Sequence, residues 1–266
     1  MKKIMKAIMM IMAALVMVVT LVECEKSAVS RLKYLVYDAQ KECPVDIGSG
    51  FVAESISYDE EANMVVMECT TSSIELPAEI IDYYTEHPDV LKKIMLAAMI
   101  RQGTADSEFV DPIIDADAGI TFSYKFAGMD KPLKVALTAE ELRQASKSEL
   151  TSLEASEDIL KAQVEMANAT QCGIEAEGMR INKVDYDGRN VIYDMTYDES
   201  AATVDMFKMM EDDFKQAMLS EPDMNSMIEL LAPMGKGIKF QVHGAKSKAT
   251  IDLLITEEDY RGHPMQ

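Results

Sequence analysis

Outside the N-terminal segment the residues best suited to chemistry are three histidines, four cysteines and 16 of the 22 methionines. His87, His243 and His263 form no H-x-x-x-H pair and have no neighbouring cysteine. The spacing that would present two imidazoles to one zinc ion is therefore missing. "DADAG" at 115–119 begins like a calcium loop, but the twelfth residue from Asp115 is Phe126, where such a loop needs a bidentate glutamate. "SRLK" at 30–33 has the S-x-x-K spacing of a serine nucleophile with a lysine base, yet neither S-D-N nor K-T-G follows. There is no G-x-S-x-G elbow and no Walker-type phosphate loop. No residue earns a catalytic assignment, and neither a cofactor nor a metal ligand is expected.

Methionine offers one further chemistry. "MVVM" at 64–67, "MFKM" at 206–209 and "MNSM" at 224–227 have the M-x-x-M spacing in which soft thioethers hold Cu(I). Met64 and Met67, however, point to opposite faces of a strand. Met210 and Met218 extend an apolar helix stripe, where a flexible side chain fills gaps in a core. Core filling is the expected role.

The cysteines constrain location. Cys24 directly follows an apolar run and has Leu21 three positions before it, as an acylated lipoprotein cysteine would; Glu23 stands where a small residue normally precedes that cysteine. Acylation of Cys24 and ordinary cleavage nearby both remain open. Cys43 can pair with Cys69 inside one repeat, or with Cys172 between repeats. Met195 aligns with Cys69, so the fold cannot require the first bridge.

These residues must be positioned by the chain around them. Lys2, Lys3 and Lys6 precede an uncharged run from Ala7 to Val22, the pattern of a bacterial export signal over 1–23. The run is 16 residues, short of the roughly 20 that a spanning helix needs. The full chain is 48% hydrophobic and 27% charged, as in ordinary soluble domains. Its formal charge is −20, and loss of three lysines and Glu23 with the signal takes this to −22. Such a surface repels nucleic acid and anionic lipid, so the only expected route to a membrane is the signal or a lipid anchor.

The organising feature is a tandem duplication. Phe51 to Asp59 with Met64 to Thr71, and Met179 to Asp187 with Val191 to Asp198, each read as a β-hairpin. Asp187-Gly188 supplies the tight turn of the second. Gly50, Tyr58, Asp59, Val65 and Thr70 align with Gly178, Tyr186, Asp187, Val191 and Thr196. "GITF" from Gly119 aligns with "GIKF" from Gly237, and "LTAEE" from Leu137 with "ITEED" from Ile255. The chain is expected to comprise an export signal (1–23), a tether (24–27), repeats at 28–142 and 150–260 joined by a linker (143–149), and a tail (261–266).

Each repeat reads α-β-β-α-α-β-β, which predicts an α+β fold: a four-stranded antiparallel sheet covered by helices on one face. Ile80, Tyr84, His87, Leu91, Ile94 and Ala98 form the apolar stripe of a helix over 78–102, which Pro88 should kink or split. Val204, Phe207, Met210, Phe214 and Met218 do the same in the second repeat. Tyr83, Tyr84 and His87 are the expected binding residues, because the corresponding helix of the second repeat offers Phe207 and Phe214 and no such polar aromatic group, and tyrosine brings both apolar area and a hydroxyl. The expected function is a non-catalytic module of the cell envelope that binds a protein, peptide or glycan. A hydrolase with its site between the repeats is the alternative.

Overall fold

The computed structural model describes residues 28–48, 51–71, 76–103, 109–176, 178–200, 203–220 and 222–261. The export segment, Cys24, Gly50 and His263 lie outside the described residues. In the first half α1 (Ala28–Gln40) leads into β1 (Val45–Gly48), β2 (Phe51–Asp59) and β3 (Met64–Thr70). Then come α2 (Ala78–Glu86), α3 (Pro88–Gln102), α4 (Val110–Asp115), β4 (Gly119–Lys125), β5 (Leu133–Leu137) and α5 (Ala139–Ser146). The second half begins with α6 (Ser152–Thr170), β6 (Glu175–Ala176), β7 (Met179–Tyr186) and β8 (Asn190–Tyr197). It continues with α7 (Val204–Met209), α8 (Glu211–Ser220), α9 (Pro222–Leu231), β9 (Gly237–Gly244), β10 (Thr250–Ile255) and α10 (Glu257–Arg261).

The fold is α+β, with strands running in sequence order across two five-stranded sheets, β1 to β5 and β6 to β10. The two sheet-bearing halves fit a duplication. The chain divides into two compact units between Ile159 and Leu160, inside α6. The expected four-stranded antiparallel sheet is corrected on both counts. A short edge strand, β1 or β6, precedes each long hairpin. At the centre of each sheet β3 pairs parallel with β4, and β8 with β9. The helices between those strands return the chain to the end where the previous strand began, so the next strand must run the same way.

One irregularity sets the geometry of each sheet. The β2 ladder steps from Ala53 to Ser55, leaving Glu54 unpaired, and the β7 ladder steps from Ile181 to Lys183, leaving Asn182 unpaired. A bulge of one residue reverses the alternation of faces. Phe51 and Ala53 before the bulge and Ile56 after it are all buried. A regular strand would have turned Ser55, Ser57 and Asp59 inward instead. On β7 the same step buries Val184 and leaves Lys183 and Asp185 in solvent. The backbone N–H groups of Ile56 and Val184 donate to helix amides, Gln40 Oε1 and Asn168 Oδ1, each at 2.8 Å. Asn168 also donates through Nδ2 to the carbonyls of Val184 and Val164. Each helix is thus tied to its sheet at the bulge.

Paired residues of the two halves do equivalent work. Asp59 Oδ1 accepts from the N–H groups of Glu61 and Ala62, and Asp187 Oδ1 from those of Arg189 and Asn190, closing both hairpin turns. A Cβ on Gly119 would lie 2.6 Å from the Leu137 carbonyl oxygen, and one on Gly237 would lie 2.9 Å from that of Ile255. Strand spacing therefore excludes any side chain at either position. Thr138 and Glu141 form a capping box for α5, and Thr256 donates its N–H and hydroxyl to Asp259 at the start of α10.

The expected helix over 78–102 is two helices, broken at His87 with Pro88 in the first turn of α3. In the second unit the break falls at Met210, which caps α7. The expected stripe is corrected there: Val204 is buried, but Met210 is 52% exposed. Phe207 and Phe214 do face the sheet, with edge-on contacts to Tyr197 and Phe240.

Asn168→Ala removes both partners of the Val184 peptide in a part-buried setting, and a loss of about 1–3 kcal/mol is expected by urea denaturation. Gln40→Ala, at an exposed helix end, should cost less, about 0.5–1.5 kcal/mol. Equal and negligible losses would show that the bulges hold without their amides.

Candidate functional site

The alternation along β8, β9 and β10 that buries Val191, Ile238, Phe240, Val242, Ile251 and Leu253 turns Asp194, Thr196, His243 and Thr250 to the other face. Register then brings these polar residues together. The parallel pairing sets Thr196 beside His243, and the antiparallel pairing sets His243 beside Thr250. His243 Nδ1 lies 2.9 Å from Thr250 Oγ1, and His243 Nε2 lies 3.4 Å from Asp194 Oδ1. The carboxylate can only accept, so with a proton on Nε2 the Nδ1 atom would be the acceptor for the Thr250 hydroxyl. Asn182, displaced to this face by the bulge, donates through Nδ2 to Asp194 Oδ1 at 2.7 Å and to Thr196 Oγ1 at 2.9 Å. Lys239 and Asp252 pair at 2.7 Å nearby on the same strands.

Hydroxyl, imidazole and carboxylate thus stand in the order of a nucleophile, its base and an orienting acid. The setting is otherwise unlike an active site. His243 and Asp194 are 39% and 38% exposed, and the adjoining backbone amides are committed to the ladder. A cleft of about 530 Å³ lies at the opposite end of β9, lined by Arg189, Asn190, Lys236, Thr256 and Glu257 among others. Gly237 and His243 are six residues apart, about 20 Å along a strand. The row is open to solvent and suited to exchanging hydrogen bonds with something laid across it.

The β9–β10 turn that sets the His243–Thr250 register is held by Glu199. Its Oε2 accepts from the N–H groups of Lys246 and Ser247 at 2.7 and 2.6 Å, and its Oε1 accepts from Val204 at 3.3 Å. These bonds, Ser247 foremost, pull the Glu199 carboxyl from the ordinary 4.5 to about 2.

The structure brings Tyr83, Tyr84 and His87 together but does not leave them all accessible. Both tyrosines are buried, with their rings 5.5 Å apart, and burial pushes the Tyr84 phenol up to about 12. His87 is exposed, its ring 4.7 Å from that of Tyr83. Tyr83 is thus a core residue rather than a surface contact. It lies one turn before the Pro88 break, in a helix that packs against β5 and α3. Cys43, Cys69 and Cys172 are free thiols, so the possible Cys43–Cys69 bridge within the first unit is not made, and Cys69 is pushed up to about 12, chiefly by burial and then by nearby Cys43. Cys24 lies outside the described residues.

Sequence reasoning weighed His243 only as a zinc ligand and passed over Asn182, Asp194 and Thr250. A signal was available. Each residue is an outward position on its strand, and strand order with register would have placed them side by side.

Among the described residues no helix is long and apolar enough to cross a membrane. No protein-family model matches the chain, and no curated protein matches it. The chain is similar to a solved structure from Pseudomonas aeruginosa described as a secreted protein, with 11% identity over 45% of this chain and 100% of that one, and a TM-score of 0.30. A likeness that loose carries no weight for fold or function.

Because the folded-state value of Glu199 is depressed, its clasp contributes fully above about pH 4.5 and is lost as pH falls towards 2. The stability difference between the protein and its Glu199→Gln variant should therefore shrink steadily from pH 5 to pH 2 in denaturant titrations. A difference independent of pH would place the clasp's contribution elsewhere.

Proposed function

We propose that this chain is an exported, non-catalytic interaction module of the bacterial cell envelope, built from repeats at 28–142 and 150–260. It recognises a hydrogen-bonding partner, a peptide, glycan or protein, through the open face of its second sheet. The observation that carries this reading is the solvent-facing row Asn182, Asp194, His243 and Thr250. It combines donors, acceptors and one titratable ring on a rigid surface. Corresponding positions of the first unit carry Glu54, Glu68 and Lys125, so the scaffold is common to both units and the histidine row is particular to one. The basic, then apolar, N-terminal segment supports export, and the acidity of the chain disfavours nucleic acid as partner.

A hydrolase is the second reading, favoured by the Thr250–His243–Asp194 order alone. Against it stand the exposure of the group and the committed amides, since acyl transfer depends on preorganised donors in a water-excluded site.

Two measurements separate these readings. Ester, amide and glycoside substrates should show no turnover that depends on Thr250 or His243. Turnover that disappears in both Thr250→Val and His243→Gln would establish the hydrolase instead. In titrations with envelope peptides and oligosaccharides followed by NMR, a ligand should shift Asn182, Asp194, His243 and Thr250 together and bind about tenfold more weakly to His243→Ala. Shifts confined to other surfaces would refute the site.

Attachment through Cys24 is proposed as the membrane tether. Acylated protein should sediment with membranes and be released to the soluble fraction by Cys24→Ala. An unchanged distribution would assign ordinary cleavage.

A further inference from the structure

We infer that the thioethers of Met206, Met209 and Met210 form a surface site for Cu(I) on the second unit. Val204 is fully buried, and the Phe207 ring meets Tyr197 edge-on with centroids 5.0 Å apart, so this side of α7 faces the sheet. At about 100° per residue, positions 206 and 209 fall on the opposite side of the helix, and Met210, which caps it, falls at the flank next to Met206. They are 41%, 77% and 52% exposed. The Met210 N–H donates to the Met206 carbonyl at 3.1 Å, so the turn that holds all three residues is closed.

Residues three and four apart on a helix are immediate neighbours, with Cβ atoms about 5–6 Å apart. Each methionine adds three rotatable bonds beyond that, enough for three sulfurs to converge on one ion. A set of neutral, soft sulfur donors selects Cu(I) over the hard cations that carboxylates take. Exposure of these side chains is not forced by the amount of methionine in the chain: Met67, Met95, Met99 and Met166 are all buried. Three exposed thioethers within five residues therefore run against the partition seen elsewhere in the same molecule. Exposed Asp205, Asp212 and Asp213 flank the turn and attract a cation, with Lys208 the one opposing charge in α7. At the matching helix break the first unit carries Tyr83, Tyr84, Glu86 and His87 and no methionine. The site is accordingly particular to the second unit, and it is independent of the histidine row.

The test is a titration of the purified protein with Cu(I), kept reduced and buffered by a competing chelator. Accessible thiols are alkylated first, because Cys43 and Cys172 are free and half-buried. Methionine methyl groups are followed by NMR. The expected result is saturation at one equivalent with micromolar affinity or better, with the ε-methyl signals of Met206, Met209 and Met210 moving together. Replacing all three by leucine should weaken binding at least about tenfold while leaving thermal stability unchanged, as befits exposed positions. Unmoved methyl signals at micromolar Cu(I), or equal affinity in the leucine variant, would overturn the site and leave the turn as an apolar surface patch.

Discussion

The phase reversal at the strand bulges is the constraint on which both sheets depend. A strand's side chains alternate with a period of two, so the faces of β2 and β7 are fixed by where the extra residue falls. With Glu54 and Asn182 extruded, Ile56 and Val184 reach the core; without them, Lys183 and Asp185 would be driven inward. Burying unpaired charges costs far more than any local contact could return. The bulge also frees an N–H group, and a helix amide from Gln40 or Asn168 takes it up. A single local distortion therefore decides the core face, docks the preceding helix and delivers one polar side chain to the open face.

On that open face the two units diverge while keeping the device. In the first, Thr70 donates to Glu54 and Ser55 to Glu68. In the second, Asn182 donates to Thr196 and Asp194. The bulge residue thus bonds the same cross-strand threonine position in both, which marks that bond as part of the scaffold. Beyond it the rows separate, with Lys125 in one unit and His243 in the other at the neighbouring strand. Core positions meanwhile stay apolar and similar: Ile120 and Phe122 match Ile238 and Phe240, all buried. Packing restrains the interior to a narrow range of volumes, whereas a solvent-facing position tolerates most residues.

Much of this was legible in the residues because local rules governed it. Asp187-Gly188 announced a turn, Pro88 announced a helix break, and the Gly119 and Gly237 match marked two sites where neighbouring strands leave no room for a side chain. What the residues hid was decided by pairing. β1 and β6 are four and two residues long and carry too little pattern to stand out. The parallel centre of each sheet follows from the length of a crossover, not from strand composition. The bulges did leave a trace: apolar positions Phe51 and Ala53 are odd, whereas Ile56 and Tyr58 are even. Tyr83 was misplaced because the apolar face of α2 is wider than the single stripe through Tyr84, and both tyrosines are buried. Met210 was misplaced because a helix broken there cannot keep one stripe in register across the break, and no proline signals it.

The histidine row and the methionine turn share a physical character that bears on what the second unit does. Neither contributes much to folding. An Asp194–His243 pair with both members more than a third exposed is worth about 0–1 kcal/mol at best, and exposed methionines bury little. The first unit attains the same sheet with Lys125 and His87 at the corresponding places. Features that stability does not need, on a scaffold whose twin lacks them, are free to be shaped by what the surface meets. Both also offer weakly committed atoms to solvent: a ring nitrogen held by one hydroxyl, and thioethers on exposed side chains. An open sheet carrying such groups can gain hydrogen bonds or a soft cation without rearranging its core. Acid–base chemistry asks for more, since a nucleophile in bulk water competes with the solvent for every proton it gives up. The balance of exposure against enclosure is what favours the proposed binding role of the second unit over acid–base chemistry.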